Sequence, residues 1–226
     1  MISTILLTYK FIISYTILTF KIKPEILASS TRFLCLHIIT KEEGFPVPNI
    51  YLSPSVEENN LYVTGGSEEY YMNLIADAMI PYLGISNIKF TRNNPRDTVE
   101  DIIAKSNAGN YDLHLALHSS YGSEQFSGDL QGINVHYYPS NTNSQSLANN
   151  ISEYLKIIYH NPNLVKVIPN ITLDEITKTI APAVFVELGY HDNSEDAQWI
   201  KDNIYGIARR LVLAITEYSG IPFDTF

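Results

Sequence analysis

Cysteine is nearly absent: Cys35 stands alone in 226 residues. That excludes an intrachain disulfide, and the lack of any CxxC pair excludes a cysteine-built metal site. A metal centre in this chain must therefore be assembled from His, Asp and Glu. Basic charge is also scarce, with 15 Lys and Arg against 24 Asp and Glu and a net charge of −9. No basic patch exists to neutralise phosphates, so nucleic acid is excluded as a partner. Internal repeats and low-complexity tracts are missing as well. What remains is 45% apolar and 17% charged, the balance of a globular chain with a substantial core.

Long apolar runs are lacking too. The nearest approach is "FIISYTILTF" (11–20), apolar enough for the centre of an export signal, with small residues "LASS" (27–30) downstream. The stretch is punctuated by Thr4, Thr8, Ser14, Thr16 and Thr19 and falls short of an uninterrupted span of ~20 apolar residues. Residues 1–48 are read as a signal or anchor segment, or as an extension without a folded role, ending in the proline-containing linker "KEEGFPVP" (41–48). Membrane contact is expected only if residues 1–23 serve as an anchor.

From residue 49 strands and helices alternate. "NIYLS" (49–53), "IKFTR" (88–92), "YDLHLALH" (111–118), "INVHYY" (133–138) and "AVFVEL" (183–188) read as strands. A helix opens at the N-cap Ser67, with Leu74, Ile75, Ala78, Met79 and Leu83 at helical spacing. Others are expected over 97–108, opened by Asp97, over 143–159, and in two closing segments after 193. This pattern predicts an α/β domain over 49–226: three layers, a mostly parallel twisted sheet with helices on both faces. Sites in such sheets gather beyond the carboxyl ends of the strands.

Three polar features fall at those ends. Glu187 closes the apolar run "PAVFVEL", where a buried carboxylate needs a partner or a use. His118 closes "DLHLALH", and "SPSVEEN" (53–59) follows the first strand. Singly they are weak: a strand-end histidine is more often a hydrogen-bonded core residue, and His114 reads as structural. His136 and His160 have no partner legible in the sequence. Glutamates 57, 58, 68 and 69 taken one at a time read as solvated, since acidic residues in a helix's first turn complement its dipole. Together, two glutamates, one histidine and Glu187 match the needs of a hydrolytic zinc: about three N/O ligands, an open position for water, and a carboxylate that is not a ligand.

The order strand, SPS loop, acidic helix start, "DLHLALHSS", "PAVFVELGYHDN" resembles the Amidase_3 family of zinc-dependent N-acetylmuramoyl-L-alanine amidases over about 49–218. The family's "ELGF" motif carries its catalytic base, which corresponds to Glu187. "DLHLALHSS" is similar to the strand that ends in a zinc-binding histidine, here His118, although Ser120 stands where the family usually has Asn. The family's "DPGHGG" is "SPSVEE" here, so Val56 occupies the histidine's place and cannot bind metal. In the family's "SPSxQ" branch the polar side chain is shifted by one, which makes Glu57 the substitute ligand. The second family ligand opens the first helix. Counting back from Ala76 gives Glu68 and anchoring on "NL" (73–74) gives Glu69; the spacing to Met79 and Leu83 favours Glu68.

The resemblance implies a bacterial cell-wall hydrolase that cleaves between N-acetylmuramic acid and L-alanine of peptidoglycan. One Zn²⁺ per chain would be held by Glu57, Glu68 and His118, and Glu187 would take the proton of the metal-bound water. Glu187 is then expected in a partly desolvated cleft that raises its proton affinity, with the Gly/Ser-rich loop 119–132 bordering the stem-peptide groove. Such a protein would be secreted or wall-associated, or would work from a mother cell or a phage-lysis context. Two alternatives stand beside this reading. A related zinc peptidase would need an arginine for a carboxylate, and Arg92 and Arg96 are the only candidates. A metal-free peptidoglycan-binding module is suggested by the missing histidine.

Overall fold

The computed structural model describes residues 7–13, 16–22 and 47–223 and divides the chain into two units, Met1–Phe45 and Pro46–Phe226. In the first unit β1 (Leu7–Ile13) and β2 (Thr16–Ile22) pair antiparallel with Ile13 opposite Thr16. The apolar stretch 11–20 is thus strand wherever it is described, while "LASS" and linker residues 41–46 lie outside the described residues. No helix among the described residues is long and apolar enough to cross a membrane.

The second unit runs β3 (Asn49–Pro54), α1 (Glu68–Ile85), β4 (Lys89–Arg92), α2 (Val99–Ala108), β5 (Leu113–Ser120), β6 (Ile133–Tyr137) and α3 (Thr142–Lys156). It continues with β7 (Val165–Pro169), α4 (Asp174–Thr177), β8 (Ala183–Tyr190), α5 (Ser194–Asp202) and α6 (Ile204–Ser219). The six strands order as β4-β3-β5-β8-β6-β7, and only the β6–β8 pair is antiparallel. The expected mostly parallel α/β sheet with helices on both sides is the observed one.

Alternation along the strands sorts the two faces. Leu113, Leu115 and Leu117 of β5 and Val184, Val186 and Leu188 of β8 enter the main core with buried residues of α1, α3 and α6. The intervening positions point the other way, where Ala116, Ala183 and Phe185 form a small second core with Ile176 of α4. That face is covered by α2 and by the single turn of α4, so it has little apolar cover and can carry polar side chains.

Several element limits differ from the sequence reading. The capping residue of α2 is Thr98, whose hydroxyl accepts from Asp101 N while the Asp101 carboxylate accepts from Thr98 N. That reciprocal pair satisfies two orphan donors at once, and Asp97 instead accepts from Lys105 and Asn94 N. Neither β7 nor α4 was legible, because five and four residues are too few to show a period.

Candidate active site

A polar layer lies on the thinly covered face. His118 and Glu187 are Cα partners across β5 and β8, so their side chains leave the sheet on the same side. A register shift follows them, with His118 opposite Glu187 but Ser120 opposite Tyr190. Gly189 sits inside that bulge at φ +136, and a Cβ there would come within 3.2 Å of Asp196. The Leu-Gly break after Glu187 is therefore the bulge itself, a device that re-aims side chains at the end of a strand.

The imidazole of His118 lies flat on Phe185, ring centroids 4.0 Å apart at 15°, and a carboxylate faces each of its nitrogens. Nδ1 is 2.9 Å from Glu68 Oε1 and Nε2 is 3.4 Å from Glu175 Oε1. Glu68 arrives from the first turn of α1 and is buried. It also accepts from Asn60 Nδ2 at 2.8 Å and from Ser119 N at 3.3 Å. Burial opposes ionisation of Glu68, but the bonds from His118, Asn60 and Ser55 outweigh it and hold the carboxyl below its usual range. Burial likewise disfavours the charged imidazole, yet the bonds to Glu175 and Glu68 push His118 up to about 9.

Glu187 has partners the sequence did not reveal. His136 Nε2 lies 3.1 Å and Asn134 Nδ2 3.0 Å from its Oε2, both from the antiparallel neighbour β6. Burial alone would raise its proton affinity as expected, but these bonds win and its carboxyl is held low. The expected upward shift is corrected on that ground. With 20% of its side chain exposed against 2% for Glu68 and 4% for Glu175, Glu187 is the accessible carboxylate of the three.

Glu175 escaped sequence reading altogether. It caps a hydrogen-bonded chain, accepting from Ser53 Oγ at 2.6 Å and facing His114 Nε2 at 2.9 Å, while His114 Nδ1 meets Ser106 Oγ at 2.9 Å. No signal in "TLDEITK" marks it, because its importance comes only from α4 lying on the sheet. His191 and Asp192 of "GYHDN" were also missed. His191 Nδ1 is 3.0 Å from Ser119 Oγ, and Asp192 Oδ2 accepts from Gly122 N and Gly128 N at 3.0 and 3.1 Å. The motif's tail thus pins the Gly/Ser-rich loop beside the site.

Of the expected metal ligands, the structure brings Glu68 and His118 together and leaves Glu57 apart. Glu57 is exposed, and its carboxylate makes no hydrogen bond or ion pair with the described residues; only its backbone is tied, to Ser55 Oγ and Glu69 N. With Glu58, Glu69, Arg96 and Asp97 it lines an open depression of about 470 Å³. The reason lies in the loop, where Ser55 is buried and Val56 half-buried so that the chain turns Glu57 outward. Among the described residues no group of three His, Cys, Asp or Glu is placed to hold a metal ion. A catalytic zinc takes three protein ligands and an open position; this donor set offers Glu68 Oε1 and His118 Nδ1 and is one short. The three-ligand zinc site does not fit the residues as they stand.

Fold and site together define an α/β protein whose carboxylate–histidine centre sits at one end of a mixed sheet. The chain belongs to the Amidase_3 family, described as N-acetylmuramoyl-L-alanine amidase, whose model matches residues 57–217. Among solved structures it resembles the N-acetylmuramoyl-L-alanine amidase AmiC2 of Nostoc punctiforme, with a TM-score of 0.67 and 16% identity over 77% of this chain and 98% of that one. The N-acetylmuramoyl-L-alanine amidase of Clostridium difficile 630 matches with a TM-score of 0.67 and 16% identity, over 76% of this chain and 96% of that one. The catalytic domain of CwlV from Bacillus (Paenibacillus) polymyxa var. colistinus gives 0.67 and 15%, over 78% and 100%. At such identities the likeness speaks for the fold. The curated proteins contain no match.

Proposed function

We propose that the chain is a peptidoglycan amidase acting on the amide between N-acetylmuramic acid and L-alanine. The observation that carries this reading is Glu187, a carboxylate held ionised and partly accessible beside His118 near the carboxyl end of β8, the residue that the sequence resemblance makes the base. In the reaction water adds to the amide carbonyl, the C–N bond breaks, and one proton must travel from the water to the leaving amine. Glu187 accepts that proton and returns it. Asn134 and His136 fix the carboxylate through one oxygen, Oε2, which leaves Oε1 for the water. Zinc chemistry of the kind the resemblance implies, polarising the carbonyl and acidifying water, would need a third protein ligand beyond Glu68 and His118.

That shortfall favours one second reading, a peptidoglycan-binding module that does not cleave. Purified protein incubated with bacterial cell walls separates the two. The amidase reading expects release of free L-alanine amino groups, lost in Glu187→Gln. The binding reading expects co-sedimentation with walls and no new amino groups from the unaltered protein, with or without added Zn²⁺. Elemental analysis of the same sample reads the metal independently.

A further inference from the structure

Glu175 is among the most buried charged groups of the second unit, and a turn of only four residues carries it. Its carboxylate is held from two sides before it meets His118: Ser53 Oγ donates to Oε2 at 2.6 Å, and His114 Nε2 lies 2.9 Å from the same oxygen. His114 is itself fixed by Ser106 and by stacking on Tyr51, ring centroids 5.2 Å apart at 12°. Oε1 is thereby left in one place, 3.4 Å from His118 Nε2.

Besides Glu175, the orientation of His118 is set by Glu68, 2.9 Å from Nδ1, and by the ring it stacks on. Stacking on Phe185 fixes the plane of the ring, but a half-turn about the Cβ–Cγ bond keeps that plane and exchanges the carbon and nitrogen edges at no cost to the stacking. The two edges are told apart only by what each nitrogen meets. We infer that Glu175 is the positioning residue of this site: by accepting from His118 Nε2–H it directs Nδ1 toward Glu68 and the cleft. Which nitrogen of a histidine faces a site is set by the hydrogen bond that the other nitrogen makes; where the histidine holds a metal, loss of such a carboxylate partner costs about 10–100-fold. A purely structural account, a buried ion pair joining α4 to the sheet, predicts lost stability and no selective change at the ring.

The inference takes His118 to belong to the site, as proposed above, but its test does not require hydrolysis. ¹⁵N–¹H NMR of the full chain should show His118 Nε2 protonated, with a proton that exchanges slowly with water. In Glu175→Gln the amide can offer only one oxygen to Ser53, His114 and His118, so the slowly exchanging Nε2 proton signal should be lost to fast exchange with water. Should Glu175→Gln not fold, Glu175→Asp keeps the charge but shortens the reach to His118 and should act in the same direction. Where wall hydrolysis is measurable, kcat should fall about 10–100-fold with KM unchanged. An Nε2 without its proton in the unaltered protein, or a folded Glu175 variant with an unchanged His118 signal, overturns the inference. Absence of hydrolysis by the unaltered protein counts against the amidase reading and leaves the NMR result to decide this one.

Discussion

Glu187, within three residues of the end of β8, and Glu57, three residues beyond the end of β3, are both glutamates near the carboxyl end of a strand, and their surroundings give them opposite expectations. The Glu187 carboxylate is bonded by His136 and Asn134, so it stays ionised to lower pH than an ordinary glutamate. Glu187→Gln keeps the volume but cannot accept a proton, and loss of a positioned base commonly lowers rate by ~10²–10⁴. The expected result is loss of wall hydrolysis with a thermal midpoint within a few degrees of the unaltered protein. Because the carboxyl is held low, the acid limb of the pH–rate profile should lie below the ordinary value of 4.5; a limb above it would mean another group supplies the base. Glu57→Gln should change neither hydrolysis nor metal content, since that carboxylate is exposed and unpaired among the described residues.

At the scale of the element, α5 shows how one cap can serve a site. Asn193 Oδ1 accepts from Glu195 N at 3.0 Å and Asp196 N at 3.2 Å, closing the helix start, while its Nδ2 donates to Gly128 O at 2.7 Å. The cap therefore also anchors the loop that Asp192 holds through Gly122 and Gly128. Asn193→Ala should cost ~1–2 kcal/mol as a lost N-cap, or about 2–4 °C of thermal midpoint per kcal/mol in a domain of this size. It should also increase proteolytic cleavage within 119–132, which a cap acting on the helix alone would not do. Limited proteolysis with mass-spectrometric mapping of the cut sites checks this.

For the whole molecule, the charges around His118 set how stability depends on pH. Glu68 and Glu175 touch its ring, and Glu187, His136 and His114 surround it on the same sheet face. His118 is raised from its ordinary 6.5 to about 9, so its contribution is complete below 6.5 and is lost as pH climbs through 9. Glu68, Glu175 and Glu187 are held low, so theirs is present above 4.5 and is lost as pH falls. His191, held low by burial, adds stability that is lost as pH falls below 6.5, so the thermal midpoint should decline as pH climbs from 6.5 through 9 and decline again in acid; a steady rise from pH 6.5 to 9 would contradict the clamp on His118. The main core is a separate test of the fold. Leu115 is fully buried there, and Leu115→Ala should cost ~2–5 kcal/mol.

The strand–helix alternation was written in local residue types: Ser67 as a cap, the helical stripe of α1, and the β5 and β8 runs whose alternate positions are apolar on one side. Such patterns act within a few residues along the chain, so the α/β class, His118 and Glu187 near the carboxyl ends of their strands, and Glu68 at a helix start were all legible there, although β5 and β8 run on to Ser120 and Tyr190. Short elements lacked enough residues to show a period, which is why β7 and α4 were not. The tertiary structure alone decided who meets whom. Only the sheet order puts β6 against β8 and so gives His136 and Asn134 to Glu187, turning an expected rise in proton affinity into a fall. Only the lie of α4 on the sheet sets Glu175 against His118, 57 residues away in sequence. Nothing local to "SPSVEE" tells that Ser55 turns inward and Glu57 outward. Hydrogen bonds and charge act over a few ångströms in space, and sequence order does not measure that distance.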